Sequence, residues 1–110
     1  MESSRLEGEA EKALWMLKTD AERHAQDRAN ADHMAQWVRV VKAQCMEKST
    51  ASSMAAAEAE ATRHPDYIQA LEDLKTANAI HYKNQFKREA ADAFIRAWQT
   101  LCSNERANVR

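Results

Sequence analysis

Breakers of helical structure are almost missing from this chain: its 110 residues hold one glycine, Gly8, and one proline, Pro65. A single glycine rules out the glycine-rich loops that cradle phosphates, so no nucleotide-binding motif can be drawn. Cysteine is scarce as well. Cys45 and Cys102 are not in a CxxC arrangement, which argues against a disulfide framework or a zinc site and leaves two buried or half-buried thiols as the expectation. Aromatic residues make up only 6%, and much of the 45% hydrophobic content is alanine, which favours helix but contributes little burial per residue. An excess of charge of one sign is lacking too: 16 basic against 17 acidic residues give a net charge of -1. No overall field then draws the molecule to nucleic acid or membrane, and any such binding must be local. Nor is there a long apolar run or an apolar stretch after the opening Met1-Glu2-Ser3-Ser4-Arg5, so the expectation is a cytoplasmic protein with no membrane partner.

What is present is helix periodicity. From Glu9 to Thr62, apolar or small residues recur at three- and four-residue steps: Ala10, Leu14, Leu17, Ala21, then Ala31, Met34, Val38, Val41 and Cys45, with His24 and Arg28 as polar interruptions. Asn30-Ala31-Asp32 and the cluster Ser49-Thr50-Ala51-Ser52-Ser53 are the places where capping side chains compete with the backbone. Neither contains glycine or proline, so a continuous first arm with a weak point at the serines is predicted, a break in this arm being the alternative. At Arg63-His64-Pro65-Asp66 the chain must turn, because proline disfavours helical geometry at His64 and tolerates only the first turn of the next helix. Asp66 and Gln69 then fit a capping box, or, with Pro65 as the first helical residue, Asp66 sits in the first turn and favours the helix dipole. A second stripe follows through Tyr67, Leu71, Leu74, Ala77 or Asn78, His81 or Tyr82, Phe86, Ala90, Ala93, Ala97 and Leu101.

The fold expected from this pattern is an all-α, long antiparallel helical hairpin of coiled-coil character. It forms one domain over residues 1–110, with arm one at about residues 9–62, a turn at 63–66 and arm two at about residues 66–104. Folding at Pro65 sets Cys45 opposite Gln85, Cys102 opposite Arg28, and His81 opposite Ser49. The first arm outruns the second, which leaves Leu14, Trp15 and Leu17 with little to pack on. Such an apolar end predicts fold-back or self-association, so these three residues are the candidate protein interface and a homo-oligomer is expected.

Enzymatic chemistry finds no support in the residue pattern. The Glu-x-x-His ligand pair of di-iron helical bundles is absent, so no metal or other cofactor is expected. A nucleophile with its base and orienting group needs a pocket, which a two-arm hairpin does not offer. Basic residues are more suggestive. Lys83, Lys87 and Arg88 fall within two turns of the second arm, and the hairpin register places Arg39, Lys42 and Lys48 at the same height. Trp37, Tyr82 and Phe86 share that zone and could stack on unpaired bases while the basic side chains neutralise phosphates. These six basic residues are the candidate nucleic-acid contacts, diluted by Glu47, Glu89 and Asp92. Against this stands the plainer reading of a solvated charged face with its aromatics turned into the seam. The amphipathic arms support a different class of function, in which an apolar stripe docks a helix of another protein and DNA plays no part.

The segments Glu58-Ala59-Glu60-Ala61, Pro65-Asp66-Tyr67, Ala70-Leu71, Tyr82, Lys87-Arg88-Glu89-Ala90, Ala97-Trp98-Gln99-Thr100 and Asn104-Glu105-Arg106 together resemble a pattern in small helical-hairpin proteins of tailed phages and prophages. There an alanine-rich helix end leads through a Pro-x-Tyr turn into a long helix ending in Trp-x-Thr and Asn-x-Arg. The resemblance covers the C-terminal half. It implies the same shape and, because such proteins often accompany phage replication or recombination genes, a non-enzymatic accessory or scaffold role in DNA metabolism with no catalytic residue.

Overall fold

A computed structural model describes Glu2–Asn108. Among these residues there are four α-helices and no strand: α1 (Glu2–Thr19), α2 (Ala21–Glu47), α3 (Met54–Arg63) and α4 (Pro65–Asn108). The all-α helical hairpin is as expected. The first arm, however, is divided, and the seam uses other residues than the periodicity suggested.

Two interruptions divide the first arm. One, at the serine cluster, is complete: residues 48–53 leave the helix. The Ser49 hydroxyl accepts from the Ala51 amide at 3.1 Å and donates to Glu60 Oε2 at 2.6 Å, while Ser53, extended at φ -134 and ψ 158, caps α3 by accepting from the Ala56 amide at 3.1 Å. Hydroxyls thus give the backbone partners that helix would otherwise supply, and the expectation of an unbroken arm is corrected here. The other, at Asp20, is a bend that no glycine or proline announces. Asp20 still donates to the Met16 carbonyl and accepts from the His24 amide, each at 2.9 Å. The Thr19 hydroxyl donates to the Trp15 carbonyl at 2.8 Å, the kind of back-bonding that bends a helix without breaking it. Asn30-Ala31-Asp32 remains inside α2.

The turn at Pro65 forms as the sterics require. His64 is extended at φ -68 and ψ 135, and Pro65 is the first residue of α4 with Asp66 in its first turn. The capping box does not form: Gln69 Nε2 donates forward to Asp73 at 2.9 Å, and the Asp66 amide is instead accepted by His64 Nδ1 at 3.1 Å. An imidazole serves as the N-cap.

Contacts gather the chain into two compact units. The first is formed by Gln26–His81. Here the C-terminal part of α2 meets the N-terminal part of α4, the two running antiparallel, and α3 packs against both. Val38, Val41, Cys45, Ala61 and Ala70 form the buried cluster, with Met46, Tyr67 and Leu74 packed against it. Cys45 lines a groove with Asp66, Gln69 and Ala70, so the pairing of Cys45 with Gln85 is not found. Ser49 is likewise engaged with Glu60 rather than His81. The register differs because the turn is not residues 63–66 alone but three pieces, the serine loop, α3 and the His64 corner.

The second unit combines the residues before Gln26 with those from Tyr82 onward. Its buried positions are Ala10, Ala13, His24, Asn84 and Ala91, with Leu17, Ile95, Trp98 and Leu101 half-buried. On α4 the buried residues Ala70, Ala77, Asn84 and Ala91 recur every seventh position, the period of a coiled-coil seam. Small side chains there let helices approach closely, and the large ones are displaced: Leu71 is 40% exposed and Phe86 66%, so neither belongs to the buried stripe that sequence periodicity assigned them to. Ala90, Ala93 and Ala97 are exposed with them.

Candidate interaction surface

On α1, Leu14 and Trp15 point outward, Trp15 being 68% exposed, whereas Leu17 is half-buried. Helical geometry separates them: Leu17 falls one turn past the buried Ala13, while Leu14 and Trp15 turn away from that line. Of the three residues expected at a protein interface, two are therefore available on the surface.

The six basic candidates fall into two sets. Arg39, Lys42 and Lys48 belong to the unit of Gln26–His81. Arg39 and Lys48 are exposed, but Lys42 is half-buried and its Nζ lies 2.7 Å from Glu58 Oε1 on α3. The hydrogen bond between them, with their mutual attraction, lowers the Glu58 carboxyl below its ordinary value and raises the Lys42 ammonium above its own. Lys42 thus fastens α3 to α2, and its charge is already answered within the chain. Lys83, Lys87 and Arg88 lie on α4 in the other unit, all exposed. Lys83 and Lys87 share a face one turn apart, and Arg88 stands about 100° round from Lys87. Tyr82, 53% exposed, and Phe86 lie beside them rather than inside the seam.

Between α2 and α4 lies a shallow groove of about 190 Å³ lined by Trp37, Val41, Cys45 and Lys48 on one wall and Asp66 and Asp73 on the other. Its thiol, Cys45, is buried, and among the described residues no histidine lines the groove beside it. Among the described residues no group of three histidine, cysteine, aspartate or glutamate side chains could hold a metal ion. Nor is any described helix long and apolar enough to cross a membrane.

Two features escaped sequence reasoning. His24 was legible as a polar interruption, but not its condition: it is 5% exposed and neither imidazole nitrogen has a hydrogen-bond partner. Phe86, and Tyr82 as the alternative to His81, fell on the expected stripe by three- and four-residue steps, yet both face outward. The signal that places them outside is the seven-residue recurrence of small residues at Ala70, Ala77 and Ala91. Comparison with family models, with curated proteins and with solved structures gives no match, so the functional reading rests on these residues themselves.

Proposed function

We propose that this chain works by docking rather than by chemistry, as a non-enzymatic accessory or scaffold module that pairs with other helices, copies of itself included, through large apolar side chains carried on its outer faces. One observation carries the reading: among the described residues no large side chain is fully buried, while Leu14, Trp15, Tyr82, Phe86 and Phe94 stand substantially exposed around a seam built largely of alanine. Isolated exposed apolar residues are ordinary. Here several of the largest stand outside while alanines fill much of the seam, which leaves apolar surface on which a partner helix can dock. Sedimentation velocity across a hundredfold concentration range tests it. Self-association that the Trp15→Ser, Phe86→Ser pair weakens at unchanged helicity is the expected result. A strictly monomeric wild type whose behaviour the pair leaves unaltered would overturn it.

A second reading has its own observation. Exposed Tyr82 and Phe86 flank Lys83, Lys87 and Arg88 on α4, a combination suited to stacking on bases and neutralising phosphates. Together with the resemblance of the C-terminal half to small phage and prophage proteins, it supports a place in DNA replication or recombination in the cytoplasm of the host cell. Fluorescence anisotropy of labelled single- and double-stranded DNA decides: saturable binding that falls steeply with salt and disappears on replacing Lys83, Lys87 and Arg88 by glutamate is expected. No binding at low salt leaves docking without DNA.

A further inference from the structure

The groove between α2 and α4 lies wholly within the unit of Gln26–His81, and charge divides it along its length. On α2 its lining runs from Trp37 to Lys48, and on α4 from Asp66 to Asp73. Because the two helices run antiparallel here, Trp37 stands at the Asp73 end and Lys48 at the Asp66 end. Three turns of helix set Lys48 about 16 Å along α2 from Trp37, which leaves the Asp73 end without its charge. Among the described residues the lining holds no other cation. Arg39 and Lys75, two residues beyond Trp37 and Asp73, are each about 200° further round their helices and so turn away from the groove. Asp73 forms no ion pair among the described residues. Its Oδ1 accepts a hydrogen bond from Gln69 Nε2 at 2.9 Å, which orients the carboxylate without neutralising it. Trp37 is 41% exposed at the same end, and the buried Val41 and Ala70 give the groove an apolar floor.

We propose that this end of the groove receives an arginine side chain of a partner protein. An aromatic ring, an unpaired carboxylate and an apolar floor match the parts of that side chain. The guanidinium stacks on the indole of Trp37 and donates to the Asp73 carboxylate, while the methylene stem lies on Val41 and Ala70. A lysine brings a compact, more strongly hydrated charge with no plane to stack, so the site favours arginine. A groove this shallow admits a side chain still attached to its own backbone outside, and about 190 Å³ suits one side chain rather than a whole helix. The site shares no residue with Leu14, Trp15, Tyr82 and Phe86, on which the docking reading rests.

Titration of the full chain with N-acetylarginine amide at constant ionic strength tests the proposal, followed by the indole N–H signal of Trp37 in nitrogen-edited NMR. The Trp37→Phe variant identifies that signal. Saturable movement with a dissociation constant of about 10 mM is expected from one exposed ion pair and one stack. Asp73→Asn weakens binding about fivefold, whereas Asp66→Asn, the same change of charge at the other end, alters it by less than about twofold. The corresponding citrulline amide, which keeps the shape but lacks the charge, leaves the signal where it was. Circular dichroism confirms equal helicity of the variants. A Trp37 signal that does not move, an equal response to citrulline, or equal losses in the two aspartate variants would overturn the proposal. The docking reading stands or falls separately, on self-association through Trp15 and Phe86.

Discussion

His24 presents the sharpest energetic problem at the scale of single residues. A buried imidazole with two unpartnered nitrogens has lost its hydration without gaining a hydrogen bond, a deficit of about 1–3 kcal/mol. Replacing it with an apolar side chain of similar length removes that deficit. His24→Leu is expected to stabilise the protein by about 1 kcal/mol, read as a higher urea midpoint at unchanged slope. His64 is the opposite case, a histidine whose ring nitrogen is used. Its Nδ1 accepts the Asp66 amide at the start of α4. His64→Ala should cost about 1 kcal/mol in the same measurement, and His64→Ser, which restores a capping oxygen, less.

The pair of Lys42 and Glu58 sets an acid and an alkaline limit. Glu58 is lowered from its ordinary 4.5, so the stability it contributes is complete above that value and is lost as pH falls through its lower folded-state value. Lys42 is raised from 10.5, so its contribution is complete below that value and lost as pH rises through the higher one. Lys42→Met should flatten both flanks of the stability profile followed by thermal unfolding. A profile unchanged at the acid flank would show that Glu58 has no such role. Because both side chains are partly solvated, the effect should shrink in high salt.

At the scale of elements, small residues decide the packing. Ala61 of α3 and Ala70 of α4 are almost wholly buried in the same cluster as Val38 and Val41. Enlarging either forces helices apart: Ala70→Leu is expected to destabilise by about 1–3 kcal/mol, whereas Ala90→Leu on the exposed side of α4 should change stability little. Chemical denaturation of the two variants side by side measures the contrast. The same residues explain what the sequence could convey. Pro65 acts through local sterics, so the turn and the start of α4 were legible. The serines were legible as a weak point; that the loop actually opens depends on Glu60 and Ala56 being in reach of Ser49 and Ser53, which is tertiary information. The Asp20 bend keeps its helical hydrogen bonds and leaves almost no sequence signal. The seam was misread at Leu71 and Phe86, and at Ala90, Ala93 and Ala97 with them, because successive three- and four-residue steps from Tyr67 leave the seven-residue line of Ala70, Ala77, Asn84 and Ala91 that is buried.

For the whole molecule, the candidate site was legible in kind but not in place. Leu14 and Trp15 were expected outside and are outside; Lys42 was expected to meet a ligand and instead meets Glu58. For Tyr82 and Phe86 the seam was the favoured reading over a stacking surface, and their exposure places them outside it. The docking and DNA readings now converge on one stretch of α4, and they make opposite demands on it. Dimerisation and DNA binding should compete if both occur, so DNA that binds Tyr82 and Phe86 should lower the dimer fraction at fixed protein concentration. An unchanged sedimentation coefficient for the free-protein dimer in the presence of saturating DNA would separate the two surfaces.

Alanine in the seam has a further consequence, for the independence of folding and recognition. Alanine surrenders no rotamer freedom when buried, so the alanines of the seam cost little side-chain entropy to order, while Trp15 and Phe86 outside keep more of theirs until something covers them. The residues that would choose a partner are thus largely not the residues that hold the helices together. Substitutions at Trp15, Tyr82 or Phe86 can redirect what the molecule binds while the fold beneath them is left as it was.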